Sequence, residues 1–221
     1  MRPDQRSTQF ADLKAINSFT RIYLLRHAEV ETRYQRVFGG RIDMELSPRG
    51  HQQALALATY MRRFQLDAIY ASPMKRVQQT LAPLLDERML LPVVIDELQE
   101  VHFGVWTGLT WEEVNIRHKM RASEWLDKLD QGAIPDAESA HDFRNRLEPC
   151  LRKILGEYSG QTVAVLCHGG VIRMLLSVLL DLPIRKMAGF EIDYASLTQV
   201  DCYPHRAEIQ VLNFTPWRDL A

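Results

Sequence analysis

Two short apolar segments of the chain each end in a histidine. The first runs from Leu24 to His27, and the second runs from Thr162 to His168. A short apolar segment that stops at polar residues is typical of the buried strands of open α/β sheets, which bind ligands beyond the carboxyl ends of their strands. The sequence therefore predicts two strands that each deliver a histidine to such an end.

The residues after the second histidine are typical of an anion-binding helix start. Gly169 and Gly170 allow a sharp bend and a close approach to a ligand. A helix that begins near Val171 would direct free N–H groups at that ligand. On its own, the pair Arg26-His27 would more often be solvated or structural, but the second strand end favours a functional interpretation of both.

Composition indicates an ordinary globular protein. The chain has 221 residues, of which 46% are hydrophobic and 25% are charged, and this is enough apolar material for a sizeable core. No linker divides it, so we expect an N-terminal extension over residues 1–19 and a single domain over residues 20–221. The formal charge of -1 argues against nucleic acid as a partner. No apolar run reaches the roughly 18 residues of a membrane span, so we expect a cytoplasmic protein without a membrane partner.

The cysteines and histidines show neither a disulfide nor a metal-binding pattern. Cys150, Cys167 and Cys202 are widely spaced without a C-x-x-C pair, and the histidines show no H-x-x-x-H spacing. Cys167 lies in an apolar segment, where we expect a buried thiol that packs as a small hydrophobe. We therefore predict no disulfide, no metal site and no cofactor.

Apolar periodicity predicts strands that alternate with helices along most of the chain. The predicted strands are Ile22–Leu25, Asp67–Ala71, Val93–Ile95, Thr162–Cys167, Phe190–Val200 and Arg206–Asn213. Helices are predicted to begin after the capping residues Ser47, Ser72, Thr110 and Ser139, and at Val171. This alternation indicates a mostly parallel central sheet covered on both faces, which is a three-layer α/β/α sandwich.

The segment over residues 106–135 is predicted to be a helical lid insertion. A capping box at Thr110 and Glu113 starts a helical pattern that extends to about Asp130. The segment carries a charge run that consists of Arg117, His118, Lys119 and Arg121. Such a run is most often a solvated face, and its alternative role is to line a pocket. The sequence leaves both interpretations open.

Six motifs between residues 22 and 180 combine arginine, histidine, acidic residues and glycine. They are Arg26-His27-Ala28-Glu29, Gly39-Gly40-Arg41-Ile42-Asp43 with Leu46-Ser47-Pro48-Arg49-Gly50, Ser72 with Arg76 and Thr80, Leu98 to Gly108, Glu138-Ser139, and His168-Gly169-Gly170. Together they resemble the motifs of the histidine phosphatase superfamily, the phosphoglycerate mutase-like proteins. The resemblance implies the same α/β/α fold.

The resemblance also implies roles for five side chains. His27 would attack phosphorus and become a phosphohistidine. Arg26, Arg76 and His168 would surround the phosphoryl oxygens and stabilise the charge that develops in the transition state. Glu100 would protonate the leaving oxygen and then activate water.

Three further residues are implied to contact the substrate, and the chain departs from the family pattern close to one of them. The implied contacts are Gly39, Gly169 and Arg33. Ala28 stands where the family has glycine, Val30 stands where threonine is common, and Arg33 stands where many members carry asparagine. The departures at positions 30 and 33 affect substrate orientation more than chemistry, and Arg33 could add a second anion contact.

We predict a metal-independent phosphomonoester hydrolase that acts on a small phosphorylated metabolite. Its acid is predicted to be Glu100 rather than Glu97, because Glu100 stands at the acid position of the motif. One alternative is a phosphoglycerate mutase, which returns the phosphoryl group to a substrate hydroxyl. Another is a non-catalytic member of the fold that binds a phosphate ligand or a protein, and the presence of every core residue disfavours it. The sequence leaves the substrate and the oligomeric state open.

Overall fold

One mixed sheet forms the centre of the protein. The computed structural model describes residues 19–85 and 90–220, so the predicted extension lies outside the described residues except for its last one. The strands in that part are β1 (Thr20–Arg26), β2 (Ala68–Ala71), β3 (Val93–Val94), β4 (Thr162–Cys167), β5 (Leu197–Tyr203) and β6 (Arg206–Phe214). They lie in the order β3-β2-β4-β1-β5-β6. Neighbouring strands from β3 to β1 pair in parallel, whereas the pairs β1 with β5 and β5 with β6 are antiparallel.

Helices cover both faces of this sheet. The α-helices of the described residues are α1 (Pro48–Met61), α2 (Lys75–Leu85), α3 (Trp111–His118), α4 (Trp125–Asp130), α5 (Ala140–Glu157), α6 (Gly169–Leu179) and α7 (Pro216–Asp219). α1 and α2 pack on one face, and α5 and α6 pack on the other. The predicted three-layer α/β/α sandwich with a mostly parallel sheet is confirmed. None of these helices has both the length and the apolar character that a membrane span requires.

Side chains that alternate along β1 divide the core into two layers. Ile22 and Leu24 are fully buried on the side of α5 and α6, whereas Tyr23 and Leu25 are buried on the side of α1 and α2. Helices on both faces require apolar side chains at every strand position. The apolar run before His27 is therefore a consequence of two-sided burial.

The parallel pairing of β1 with β4 brings the two strand ends together. Arg26 lies opposite Cys167 in the register, and the backbone N–H of His27 donates to the carbonyl oxygen of Cys167 at 3.0 Å. The rings of His27 and His168 follow at the same edge, with their centroids 5.2 Å apart. The prediction that each of the two strands ends in a histidine is confirmed, and the two histidines lie at the same edge of the sheet.

Three of the predicted helix starts have the expected cap. The capping side chains are Ser47 for α1, Thr110 for α3 and Ser139 for α5. Each of them accepts a hydrogen bond from a backbone N–H in the first turn of its helix, which satisfies one of the free donors there. Thr110 and Glu113 form the complete capping box that their spacing predicted.

The predicted cap at Ser72 is wrong, because α2 begins at Lys75. Asp43 provides the contact instead, since its Oδ1 accepts a hydrogen bond from the backbone N–H of Lys75 at 2.8 Å. The hydroxyl of Ser72 lies 2.8 Å from the ring of His168. A residue that resembled a local cap thus belongs to a long-range contact.

The predicted strand Phe190–Val200 is wrong in its first half, because β5 begins at Leu197. The preceding residues form a loop whose backbone is used by the site. The carbonyl oxygens of Phe190 and Ile192 accept hydrogen bonds from Arg173 and Arg26. These tertiary contacts override the loose apolar alternation of the segment.

The predicted helical run from Thr110 to about Asp130 is interrupted. α3 ends at His118, and Lys119 takes a left-handed conformation with φ of 52°. A short 3₁₀ turn leads to α4, which begins at Trp125. The break lets α4 approach the edge of the sheet where the histidines lie, and Trp125 faces the pocket there.

Candidate active site

A pocket opens at the sheet edge where β1 and β4 end. The empty space inside it is about 620 Å³, including the part that is open to solvent. The polar side of the pocket, termed the floor, includes Arg26, His27, Arg76, Glu100, Gly169 and Arg173. The apolar side, termed the wall, includes Val30, Tyr34, Val37, Met44, Phe103 and Trp125.

Hydrogen bonds hold the ring of His27 in one tautomer. Its Nδ1 lies 2.8 Å from the carbonyl oxygen of Ala28, which can only accept, so Nδ1 carries the proton. Its Nε2 lies 3.2 Å from Nε of Arg76, which can only donate. Nε2 therefore holds a lone pair at the pocket and is the nitrogen that can attack an electrophile.

Arg76 connects His27 to the loop that follows β1. Its guanidinium donates to the carbonyl oxygens of Gly40 at 2.9 Å and Ile42 at 2.8 Å, in addition to His27. Burial lowers the pKa of Arg76 to about 10, so the side chain keeps its charge at neutral pH. A cation with no carboxylate partner among these contacts is available to an anionic ligand.

Thr80 fastens α2 to the end of β1. Its hydroxyl donates to the carbonyl oxygen of Arg76 at 2.7 Å and accepts from the backbone N–H of Ala28 at 2.9 Å. Arg76 and Thr80 of α2, together with Ser72 just before the helix, thus lie against the residues that end the two strands.

Arg26 contributes a second cation to the floor. Its guanidinium lies over the ring of Tyr194, 4.2 Å from the centroid, and donates to the carbonyl oxygen of Ile192. Among the described residues its Nε is buried and has no hydrogen-bond partner. A buried donor without a partner is costly, and an anion bound at the floor would satisfy it.

Glu100 lies at the N-terminus of α6. Its Oε2 accepts from the backbone N–H of Gly170 at 3.1 Å, and its Oε1 accepts from the backbone N–H of Val101 at 3.0 Å. A Cβ atom at position 170 would lie 2.5 Å from Oε1, so glycine is required for this approach. The second glycine after His168 therefore makes room for the carboxylate of Glu100.

An ion pair outside the pocket supports the segment that carries Glu100. Arg146 pairs with Glu138 at 2.5 Å and donates to the backbone carbonyl oxygens of Glu97 and Glu100. Glu138 also accepts from the backbone N–H of His102. The Glu138-Ser139 motif therefore acts through support and helix capping, away from the floor.

Burial and nearby arginines keep both histidines neutral. Burial, followed by the charges of Arg76 and Arg26, holds the pKa of His27 well below its ordinary value. Burial, Arg76 and His27 lower the pKa of His168 in the same direction. A phosphoryl group bound at the floor would act oppositely, because a negative charge favours the imidazolium form.

The structure brings together seven of the eight residues predicted for the site. Six of them line the pocket, namely Arg26, His27, Gly39, Arg76, Glu100 and Gly169. His168 is fully buried and lies against the ring of His27. Arg33 is not in the pocket lining: it pairs with Glu31 at 3.0 Å, and its side chain is 68% exposed.

Ser72, Tyr194 and Arg173 also belong to the site, and the sequence did not predict the places that they take there. Ser72 was expected to cap α2, and Tyr194 comes from the loop that was expected to be a strand. Arg173 lies on α6 four residues after Gly169, so the two share a helix face, and this spacing was the available signal. Arg173 donates to the carbonyl oxygens of Gly169 and Phe190, and burial lowers its pKa to about 10.

The predicted lid segment contributes one side chain, Trp125, to the pocket lining. Two arginines of its charge run pair with nearby carboxylates, Arg117 with Glu113 at 2.7 Å and Arg121 with Glu124 at 3.3 Å. All four of these side chains are solvent-exposed. The solvated-face interpretation therefore describes these two arginines, and the lid function of the segment stays a prediction.

The cysteines do not take part in the site. Cys150, Cys167 and Cys202 are free, and burial raises the pKa of the Cys167 thiol. Over residues 19–85 and 90–220, no three histidine, cysteine or acidic side chains are grouped in a way that could hold a metal ion. The titratable side chains at the polar side of the pocket are those of arginine, histidine and glutamate.

Comparison with known proteins identifies the family. A sequence profile of the histidine phosphatase superfamily (branch 1) matches residues 22–215. The chain belongs to the histidine phosphatase superfamily. The matched range includes every floor residue, and the predicted membership of this superfamily is confirmed.

Similar proteins of the superfamily are named as phosphatases. Phosphoserine phosphatase 1 of Hydrogenobacter thermophilus is 30% identical over 195 residues, which are 88% of this chain and 92% of that protein. The adenosylcobalamin/alpha-ribazole phosphatase of Escherichia coli is 26% identical over 193 residues, which are 87% and 95% of the two chains. The native structure of a mycobacterial glucosyl-3-phosphoglycerate phosphatase has a TM-score of 0.78 at 26% identity and covers 87% of this chain and 98% of that chain. This histidine phosphatase is therefore an enzyme of the hydrolase class.

We predict that His27 and His168 stay neutral in the ligand-free protein at about pH 6, where free imidazoles are mostly protonated. Nitrogen NMR of the ring atoms during a pH titration measures this, and the urea-unfolded chain supplies the reference midpoint near 6.5. The unfolded chain takes up these protons first as the pH falls, so the free energy of unfolding should also decrease below about pH 6.5. A folded-state midpoint for His27 at or above the unfolded one would contradict the assignment.

Proposed function

We propose that the enzyme hydrolyses small phosphomonoesters in two steps through a phosphohistidine at Nε2 of His27. The observation that carries the proposal is the unprotonated Nε2 at the pocket beside the buried guanidinium of Arg76. In the first step Nε2 bonds to phosphorus while the bond from phosphorus to the ester oxygen breaks. In the second step water bonds to phosphorus, the bond to Nε2 breaks, and inorganic phosphate leaves.

Glu100 balances the protons of both steps in this proposal. Its carboxyl group lies in the floor at the start of α6. It donates a proton to the leaving oxygen, which departs as an alcohol, and then accepts a proton from the attacking water. Glu97 lines a separate pocket with Cys150 and Lys153, so its carboxylate is not placed for this role.

The cations of the floor stabilise the phosphoryl group in the transition state. Arg26, Arg76 and Arg173 surround the end of β1 and the start of α6. The neutral ring of His168 adds a hydrogen-bond donor, and the helix start adds backbone N–H groups. Donors that are already in place when negative charge develops lower the barrier without reorganisation. No metal ion takes part in the proposed steps.

The distribution of positive charge supports water as the acceptor instead of a second hydroxyl group. A mutase holds a bisphosphorylated intermediate and needs anion contacts for both phosphoryl groups. The arginines that line the pocket all belong to the floor. Arg33, Arg117 and Arg121 pair with carboxylates outside it. Among the residues that the structure describes, the pocket lining carries no cation on the wall side for a second phosphoryl group.

We predict that the enzyme becomes labelled when it is mixed with radiolabelled para-nitrophenyl phosphate. After the reaction is stopped in alkali, the protein should carry an acid-labile label. His27→Ala should hold none, because the attacking nitrogen is gone. During a chase in buffer the label should leave as inorganic phosphate, at the same rate with and without added phosphoglycerates. Label retained by His27→Ala would contradict the site, and transfer of most of the label to a phosphoglycerate would support the mutase alternative.

We also predict that Glu100→Gln lowers kcat/KM for an alkyl phosphate by roughly 100-fold or more, which is the usual contribution of a general acid. The loss should be smaller for para-nitrophenyl phosphate, because its leaving group needs little protonation. Glu97→Gln is the matched control and should stay near the wild-type value. A larger loss in Glu97→Gln than in Glu100→Gln would reject the assignment of the acid.

A further inference from the structure

We propose that the wall is a subsite for an apolar or aromatic leaving group. This proposal rests on the proposed phosphatase function and specifies its substrate class. Trp125 stands at the first position of α4 and packs edge-on against Phe103, with ring centroids 5.4 Å apart. Phe103 packs in turn on Phe38 at 4.9 Å. Trp125 and Tyr34 remain partly exposed on the pocket side of this aromatic cluster.

The charges around the pocket disfavour a zwitterionic or strongly polar leaving group. Among the described residues, Glu100 is the one carboxylate of the pocket lining, and the start of α6 already binds it. The carboxylates of Glu31, Glu113 and Glu124 pair with arginines. A leaving group with an ammonium would lose hydration against the wall and gain no acidic partner there. An apolar group of similar size gains free energy by leaving water.

The test compares phosphate release from 2-phenylethyl phosphate and from ethyl phosphate, which both release primary alcohols of similar acidity. We expect a kcat/KM at least about tenfold higher for the phenyl compound, since the ring would leave water on the wall. O-phosphoserine should also rank below 2-phenylethyl phosphate. Equal values for the two alkyl esters, or a higher value for O-phosphoserine, would overturn the subsite. Absence of hydrolysis with every ester would instead count against the proposed phosphatase function.

Substitutions of Trp125 test whether the wall causes the preference for the phenyl compound. Trp125→Ala should abolish most of the preference for the phenyl compound, through a higher KM for that compound. Trp125→Phe should retain most of the preference. Ile116→Ala is the matched control, because Ile116 is 68% exposed on the neighbouring helix α3 and does not line the pocket. An unchanged preference in a folded Trp125→Ala would contradict the proposal.

A separate observation concerns Ser72, which we infer to be a positioning residue for His168. Its Oγ lies 2.8 Å from Nε2 of His168 and accepts a hydrogen bond from the backbone N–H of Met74. Both side chains are fully buried. Nδ1 of His168 is buried without a hydrogen-bond partner among the described residues.

These contacts select one tautomer of the neutral ring. The Ser72 hydroxyl already accepts from a backbone N–H, and its own hydrogen has Nε2 of His168 within reach. If the hydroxyl donates to Nε2, the ring proton stays on Nδ1. The unpaired Nδ1–H is then a donor that a phosphoryl oxygen can satisfy. The opposite arrangement would leave the hydroxyl hydrogen without an acceptor in a buried site.

Nitrogen NMR of the ring atoms at neutral pH tests this inference directly. The wild-type protein should show His168 protonated at Nδ1. Ser72→Ala should shift the ring toward the Nε2–H tautomer and lower kcat/KM about tenfold, the usual effect of one hydrogen bond, and Ser72→Thr should restore both. A wild-type ring protonated at Nε2 would overturn the inference, whether or not Ser72→Ala folds. An unchanged tautomer in Ser72→Ala would overturn it equally.

Discussion

The parallel pairing of β1 with β4 is the constraint on which the rest of the site depends. Its ladder continues one residue beyond β1, through the backbone hydrogen bond from His27 to Cys167. The two histidines lie side by side at the edge of the sheet because the strands end in register. A shift of one residue would turn successive side chains to the opposite face and would separate the lone pair of His27 from Arg76. The hydrogen-bond ladder therefore sets the geometry of the proposed nucleophile.

The floor concentrates positive charge without neutralising it. Its arginines donate to backbone carbonyl oxygens, which are those of Gly40, Ile42, Gly169, Phe190 and Ile192. A carbonyl holds a guanidinium by a hydrogen bond and carries no full charge, so the field of the cation stays available to a ligand. Carboxylate partners would have neutralised these cations and would have weakened the attraction for a phosphoryl dianion that we propose. Burial, together with the same field, keeps the two histidines neutral.

The sequence correctly predicted those elements whose structure depends only on residues close to each other in the chain. The caps at Ser47, Thr110 and Ser139 need only a side-chain oxygen and the backbone two or three residues further on. The predictions for Ser72 and for Phe190–Val200 were wrong because partners far along the chain override the local pattern. Ser72 contacts His168, and the loop before β5 supplies carbonyl oxygens to arginines from β1 and α6.

The sequence by itself determined the alternation of strands and helices, the apolar strands that end in histidine, and the residue types of the floor. These follow from periodicity and from motifs whose spacing is local. Only the tertiary structure decided that Arg33 lies outside the pocket, that Arg173 and Tyr194 line it, and that His27 presents Nε2. Ion pairs, burial and tautomers depend on which atoms meet across the sheet edge, and sequence separation does not encode those distances.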